Sequence, residues 1–273
     1  MTSSQGGASA DAGLDAGDGC VLEAQQLKKR FGGLVAVQDC SLSLRSHRVT
    51  GLIGPNGAGK STVLDLLSGV ERQDDGHVLL RGESIDRMST HARARRGLIR
   101  TFQDPRVWPY LTTLENVLVV GDAKSGYSGW AAILRHRRAT ARQAANIQRA
   151  VDVLSAVELE HMRDRRAREL SGGQARLLAF ARLAMANPEV VLLDEPLAGV
   201  NPILADRLLE LIRGMAERGA AVLLVEHNME AIERVCDSVF VMSEGRVIGT
   251  GTWEELRQSE AVVEAYLGTG ARV

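Results

Sequence analysis

The sequence predicts an α/β fold in which helices cover a mostly parallel core sheet, and two observations lead to this class. Largely apolar runs at residues 49–53, 190–193 and 220–225 are typical of strands that are buried on both faces, as in a parallel sheet. Between the last two runs, residues 204–216 carry apolar side chains at helical spacing. Alternating strands and helices of this kind predict a layered α/β core.

Length and composition fit an ordinary globular chain. The 273 residues are 45% hydrophobic and 25% charged, which is enough apolar material for a sizeable core. A net charge of -1 argues against a dedicated nucleic-acid binder, and no apolar run reaches the ~18–20 residues that span a bilayer. Three scattered cysteines (Cys20, Cys40 and Cys236) indicate neither a disulfide framework nor a zinc site, and they favour a reducing, cytoplasmic compartment.

The N-terminal third predicts strands. Residues 1–19 are small and polar and lack the layout of a secretion signal, so we expect a disordered lead-in. Residues 21–44 alternate apolar and polar side chains around a turn at 31–34, which predicts two antiparallel strands. Residues 76–82 and 98–103 predict two further strands, the second ending at Gln103.

Helices follow, inserted into the core. Thr112 suits a helix start, and residues 131–159 predict an amphipathic helix or a helix pair within an insertion over 104–170. After the buried strands, residues 237–250 predict two short strands and residues 253–267 a closing helix. The basic stretch 91–96 is expected to be a solvated face, as most charge runs are.

The first motif that carries chemistry follows the strand at 49–53. It reads G-x-x-x-x-G-K-S and consists of Gly54, Pro55, Asn56, Gly57, Ala58, Gly59, Lys60 and Ser61. Its glycines let backbone N–H groups approach a phosphate, and the helix that begins near Lys60 adds unpaired N–H groups and a positive dipole end. Since a strand precedes this loop and helical spacing follows it, a phosphate-binding loop is favoured over a plain glycine-rich turn.

Two further groups of residues point to the same chemistry. Asp194 and Glu195 follow a buried strand, where an α/β sheet presents its ligands, so one carboxylate can hold Mg²⁺ and the next can take a proton from water. Residues 170–174 read LSGGQ and start a second helix with glycines that admit a phosphate. Phe31 has two open interpretations, simple packing or stacking on a purine ring.

In this order, the motifs resemble the nucleotide-binding subunit of ATP-binding cassette (ABC) transporters from about residue 21 to residue 268. The resemblance implies a P-loop NTPase core sheet of RecA-like type, with an antiparallel β subdomain and an inserted α-helical signature subdomain. It implies a single ATPase domain over 20–268, with core segments 20–103 and 175–268, a helical subdomain 104–174 and a tail 269–273.

The resemblance also implies roles for individual residues. Phe31, the phosphate-binding loop and Thr62 would bind ATP, while Ser61, Gln103 and Asp194 would hold Mg²⁺. Glu195 would be the catalytic base, with Gln103 and the switch residue His227 beside it. The signature residues Ser171, Gly172, Gly173 and Gln174 would bind the ATP held by a partner subunit, and residues 198–201 look like the D-loop.

The implied partners are a second, identical or related ATPase, membrane permease subunits and a solute-binding protein, with no nucleic acid. The protein would lie on the inner face of the cell membrane. Strings at residues 100–103, 111–117, 195–202, 225–229 and 264–268 look like the LivG-type ATPase of branched-chain amino acid importers. Importers of urea, amides or aromatic compounds stay open.

Two other classes fit less well. A soluble ABC mechanoenzyme would need a long coiled coil between residues 103 and 170, and no sustained heptads occur there. A regulatory subunit without turnover is disfavoured because Glu195 and His227 are both present. Residues 104–114 are the hypothesised permease-docking surface, in which charge reversal at Arg106 should uncouple transport from hydrolysis.

Overall fold

The computed structural model describes residues 19–101, 107–123 and 141–267. Residues 1–18 of the lead-in expected at 1–19 and the tail at 269–273 lie outside these ranges. So do Gln103 and Arg106, and the predictions made for them stay predictions.

Ten strands in the described ranges form one sheet, in the order β5-β4-β1-β2-β10-β9-β3-β8-β7-β6. Their bounds are β1 Cys20–Phe31, β2 Leu34–Arg45, β3 Arg48–Ile53, β4 Asp75–Leu80, β5 Glu83–Ser84, β6 Leu98–Arg100, β7 Val190–Asp194, β8 Ala221–Val225, β9 Ser238–Ser243 and β10 Arg246–Gly251. Strands β9, β3, β8, β7 and β6 pair in parallel, while β1 pairs antiparallel with β2 and β4. The predicted α/β class and its antiparallel β subdomain are confirmed.

Helices flank this sheet. Those in the described ranges are α1 Lys60–Ser68, α2 Thr90–Arg95, α3 Thr113–Ala123, α4 Ala141–Ala156, α5 Gly172–Ala186, α6 Pro202–Glu217, α7 Met229–Val235, α8 Trp253–Leu256 and α9 Glu260–Leu267. As predicted, a helix begins beside Thr112, whose hydroxyl accepts the N–H of Glu115 at 3.1 Å while the Glu115 carboxylate accepts the N–H of Thr112 at 2.7 Å. This reciprocal pair of bonds is a capping box and fixes the start of α3.

The two faces of the parallel strands build separate cores. In β7, Val190 and Leu192 pack with the buried side chains of α1, whereas Val191 and Leu193 pack with those of α5 and α6. This alternation follows from the two-residue period of a strand. Helices α1 and α5 therefore lie on opposite faces of the sheet.

A third cluster unites the helical segment. Val117 of α3 and Leu154 of α4 pack against Leu178 and Met185 of α5. Phe180 of α5 belongs instead to the core that contains Val191 and Leu193 of β7, so this helix connects the helical segment to the sheet. The boundary expected at residue 175 stays a prediction.

The expectation of a solvated face at residues 91–96 is wrong for Arg93. This side chain is 1% exposed and donates to the carbonyls of Leu66 at 2.8 Å, Leu67 at 2.7 Å and Ile85 at 3.0 Å. Two of these carbonyls belong to the last turn of α1, where a helix has unpaired acceptors and a negative dipole end. A buried cation is therefore satisfied at a position where sequence alone indicates solvent.

The single closing helix predicted over 253–267 is also wrong, because the chain forms α8 and α9 with a turn between them. Ser259 donates its N–H to the Leu256 carbonyl at 3.1 Å, and its own carbonyl accepts from Val262. Six residues of continuous helix would separate the Leu256 and Val262 side chains by about 120° around the axis. The turn lets both side chains enter the same core.

Within the described ranges, none of the helices combines the length and the apolar composition that crossing a membrane requires.

Candidate functional site

The phosphate-binding motif lies between β3 and α1, as predicted. Gly54 has a φ of 154° and Gly59 a φ of 99°. A Cβ at Gly54 would collide with the Met242 carbonyl, and one at Gly59 would lie 2.5 Å from the Ala36 carbonyl oxygen. Close approach of neighbouring backbone thus requires glycine at both positions, and the loop bends tightly into the first turn of α1.

Lys60 is the first residue of α1 and is 6% exposed. Its ammonium donates to the carbonyls of Gly54 at 2.8 Å and Pro55 at 3.0 Å. Burial lowers the pKa of this amine, while the negative charges of Glu195 and Asp194 oppose that shift. The loop therefore holds a cation within electrostatic reach of both carboxylates.

The first turn of α1 has no acidic side chain, and Gly59 caps it without a side-chain hydrogen bond. The first N–H groups of a helix have no intrahelical acceptor, and the dipole makes this end positive. Together with Lys60, the start of α1 at Ser61 and Thr62 offers hydrogen-bond donors and positive charge suited to phosphate oxygens.

Asp194 ends β7 and is paired with Arg100, which ends β6. One guanidinium nitrogen lies 2.9 Å from Asp194 Oδ2, and Arg100 also forms an ion pair with Asp65 of α1. The sequence interpretation missed Arg100. The sequence signal for Arg100 is an arginine at the end of a short apolar strand. In the structure this position pairs in register with Leu192 of β7.

The oxygen donors in this region fit magnesium chemically. The Asp194 carboxylate and the Ser61 hydroxyl are hard ligands of the kind that Mg²⁺ takes from proteins, and Lys60 interacts electrostatically with Asp194. The third expected ligand, Gln103, lies outside the described residues.

Glu195 and His227 are brought together. Their side chains meet at 3.0 Å between Glu195 Oε1 and His227 Nε2. The register of the parallel strands explains the contact, because Asp194 of β7 pairs with Val225 of β8 and both chains leave the sheet at the same edge. Glu195 has a φ of 46°, and its N–H donates to the Val225 carbonyl at 3.0 Å.

Glu226, which the sequence interpretation did not single out, is buried beside this pair. It is 4% exposed, and its carboxylate accepts the N–H groups of Leu197 at 2.9 Å and His227 at 3.2 Å. Burial raises its pKa, and these backbone donors work against the rise. A single acidic residue directly after a buried strand gave no hint that its carboxylate faces inward.

The signature residues form the start of α5, which we call the signature helix. Ser171 accepts the Gln174 N–H at 3.2 Å, and the Gln174 side chain accepts the Ser171 N–H at 2.9 Å. Gly172 and Gly173 form the first turn, and a Cβ at Gly172 would meet nothing within 4 Å. The helix start is therefore open to an approaching group.

Phe31 ends β1 and is 44% exposed. The Lys29 ammonium lies 5.0 Å from the centre of its ring. Such exposure argues against simple core packing, and stacking on a base stays a prediction.

Comparisons with known proteins agree with this arrangement. A protein-family model described as ABC transporter matches residues 37–198, more than half of the chain. The probable branched-chain amino acid transport ATP-binding protein LivG of Archaeoglobus fulgidus is 36% identical over 91% of this chain and 95% of its own length. BraF of Pseudomonas aeruginosa, a high-affinity protein of the same transport type, is 36% identical over 91% and 98%.

A relative with a different role is LptB of Haemophilus influenzae, the ATP-binding protein of a lipopolysaccharide export system. It is 34% identical over 91% of this chain and 97% of its own. Among solved structures, the ADP conformation of an ABC transporter cassette superimposes with a TM-score of 0.76 at 32% identity, covering 91% of this chain and 99% of that one.

One family accounts both for these relatives and for the features of the site: the loop at residues 54–61, the acidic end of β7 and the signature helix. The chain belongs to the ABC transporter family and is an ATP-hydrolysing, ATP-binding subunit of a transporter.

Proposed function

We propose that the protein powers an importer of branched-chain or other hydrophobic amino acids. The observation that carries this proposal is the similarity to LivG and BraF, each of which aligns over more than 90% of both chains. A solute-binding protein and permease subunits on the inner face of the cell membrane would complete the machine.

In the proposed reaction, Glu195 takes a proton from the attacking water, and His227, 3.0 Å away, holds the carboxylate in place and contacts the γ-phosphate. Lys60 and the first N–H groups of α1 bind phosphate oxygens as negative charge moves toward the leaving group. Bound through Ser61, Asp194 and Gln103, Mg²⁺ would neutralise part of that charge. Phe31 would stack on the adenine.

Two chains would be needed for each site. Because α1 and the signature helix lie on opposite faces of the sheet, one chain presents its phosphate-binding loop and its signature residues in different directions. A partner ATPase, identical or related, would supply Ser171, Gly172, Gly173 and Gln174 to the nucleotide held by the first chain. Closure of this dimer around ATP would drive transport.

The permease would dock at residues 104–114. In the described part of that segment, Trp108 is 40% and Tyr110 74% exposed, and the Arg182 guanidinium lies 4.1 Å from the centre of the Trp108 ring. Exposed aromatic side chains beside a cation are typical of protein interfaces.

The similarity to LptB favours a second candidate, an ATPase of an export system. A third candidate is again an importer, but one for urea, amides or aromatic compounds. Isolation of the protein from its own membranes, followed by identification of the co-purifying proteins, separates import from export, since an importer should also bring a solute-binding protein.

The experiment that tests the chemistry is Glu195→Gln. Without the base, we expect turnover to fall at least about 100-fold while ATP binding persists and a closed dimer accumulates. Steady-state ATPase assays, nucleotide binding and size-exclusion chromatography measure these three quantities.

Glu217→Gln, an exposed change on α6, serves as the control and should behave like the unaltered protein. Normal hydrolysis by Glu195→Gln would remove the base assignment.

Uptake of radiolabelled leucine by vesicles containing the whole complex tests the substrate. Failure of leucine to stimulate ATP hydrolysis or to enter the vesicles would contradict the amino acid proposal.

A further inference from the structure

Two charged side chains from different elements bind the backbone of residues 196–198, which we call the post-Glu195 loop. Glu226 accepts the Leu197 N–H at 2.9 Å. From the other side, Arg176 of the signature helix donates to the carbonyls of Ala198 at 2.7 Å and Pro196 at 3.3 Å. The loop is therefore bonded both to the strand end that carries His227 and to the signature helix.

Glu195 needs such support because of its backbone conformation. A φ of 46° is disfavoured for a residue with a side chain, and it persists only when neighbouring structure fixes the chain. The post-Glu195 loop begins at the next residue. Bonds that fix Leu197 and Ala198 therefore also fix the direction in which the Glu195 side chain leaves the backbone.

Glu226 connects both partners of the Glu195–His227 pair. One carboxylate oxygen binds the Leu197 N–H, and the other binds the His227 N–H at 3.2 Å. A single buried carboxylate thus sets the distance between the backbone segments that carry the two reacting side chains. A carboxylate is suited to this task because it accepts at both oxygens and donates at neither.

Arg176 brings in the signature helix. It lies in the second turn of that helix, five residues after Ser171. Both bonds come from one terminal nitrogen of its guanidinium, Nη1, so a shift of the helix start would pull directly on the loop.

We propose that Glu226 and Arg176 are positioning residues, which hold the post-Glu195 loop so that Glu195 faces His227, and that Arg176 makes this alignment depend on the position of the signature helix. The inference rests on the roles proposed above for Glu195 and His227. Neither positioning residue needs to touch ATP, because each acts through backbone atoms of the loop.

The test begins with Arg176→Met, which keeps an unbranched apolar stem and removes both donors. We expect kcat for ATP to fall about 10-fold, with the dissociation constant for ATP changed less than about 2-fold, because the phosphate-binding loop is untouched. Arg176→Lys can still reach one carbonyl and should recover part of kcat.

Arg207→Met is the matched control. Arg207 also lies on a helix and donates to a single backbone carbonyl, that of Ala156, at 2.8 Å, but it does so away from the post-Glu195 loop. We expect it to lower the melting temperature as much as Arg176→Met does while kcat stays the same. Equal loss of kcat in both variants would overturn the proposal in favour of a general effect on stability.

Glu226→Gln is the second test of the proposal. Its side-chain amide keeps one acceptor oxygen but replaces the other with an NH₂ donor, so one of the two backbone N–H groups loses its acceptor. We again expect a loss in kcat with little change in ATP affinity. Asp237→Asn, which alters a carboxylate that accepts the Val49 N–H at 2.8 Å elsewhere, is its control. If Glu226→Gln does not fold, Arg176→Met and its rescue by lysine decide the matter alone.

The double variant with Arg176→Met and Glu226→Gln tests whether both act on one loop. We expect its loss in kcat to be smaller than the product of the single losses, since a loop already released cannot be released again. Multiplicative losses would overturn a shared action of the two residues on the loop.

The inference and the proposed function can fail separately. If Arg176→Met turns over ATP like the unaltered protein while Glu195→Gln is inactive, only this inference fails. Normal turnover by Glu195→Gln would instead remove the roles of Glu195 and His227 on which the inference rests.

Discussion

At the scale of single residues, the site combines side chains that are held by backbone atoms. Lys60 is bonded to two carbonyls of its own loop, and Glu226 accepts two N–H groups. Such bonds fix a charged group without a second charged side chain, and they keep it close to the reacting atoms. Small changes of shape at these positions should therefore have large effects.

The substitution Lys60→Arg tests this at the phosphate-binding loop. The slender ammonium fits between the Gly54 and Pro55 carbonyls, whereas a planar guanidinium is too wide for the same space. We expect affinity for ATP to fall at least about 10-fold, although the charge is kept. Titration with a fluorescent ATP analogue measures it.

Lys28→Arg is the control, because Lys28 is exposed on β1 and bonds Asp75 at 2.8 Å, where an arginine also fits. Unchanged nucleotide affinity in Lys60→Arg would show that charge alone, and not shape, matters in the loop.

At the scale of elements, Arg93 ties α2 to the end of α1. Two of its carbonyl partners, Leu66 and Leu67, lie in the last turn of the helix whose first turn forms the proposed phosphate site. The two ends of α1 are thus fixed by different means, the first by glycine turns and the second by a buried cation.

Replacement of Arg93 by Met should lower the free energy of unfolding by about 3 kcal/mol, because buried carbonyls lose their donors. Chemical denaturation monitored by circular dichroism gives the value. Arg95→Met, on the exposed side of the same helix, should change it by less than about 0.5 kcal/mol. Similar values for both variants would show that the Arg93 bonds contribute little.

The elements that sequence predicts well are those governed by local pattern. The apolar run at Val190–Asp194 and the glycine spacing before Lys60 are properties of neighbouring residues, and both predictions are confirmed by the observed strand and loop. Arg93, Arg176 and Glu226 could not be predicted, because their partners are backbone atoms brought near by folding. Nothing in an arginine's own neighbourhood shows which carbonyl it will meet 22 residues away, as Arg176 meets Ala198.

At the scale of the whole molecule, the proposed need for two chains gives a complementation test. Lys60→Ala should remove the nucleotide grip of one chain, and Ser171→Arg should block its signature residues with a bulky charge. Each variant alone should be inactive. In an equal mixture, half of the dimers are mixed and each has one intact composite site, so turnover should recover to about a quarter of the unaltered value.

Size-exclusion chromatography of the mixture verifies that dimers form. No recovery in mixed dimers would contradict composite sites between identical chains and would favour a related ATPase as the natural partner. Activity of either variant alone would contradict the assignment of that residue.

The alternation of side chains along β7 has a consequence for how this sequence can change. Val190 and Leu192 serve one core and Val191 and Leu193 the other, and Asp194 and Glu195 follow at once. Removal of one residue would send each side chain after the gap to the wrong layer and would shift both carboxylates by one position. The strand thus tolerates exchanges of similar side chains, but not an insertion or a deletion. Natural variation in chain length should therefore accumulate in the loops between strands and helices, while the length of β7 stays constant.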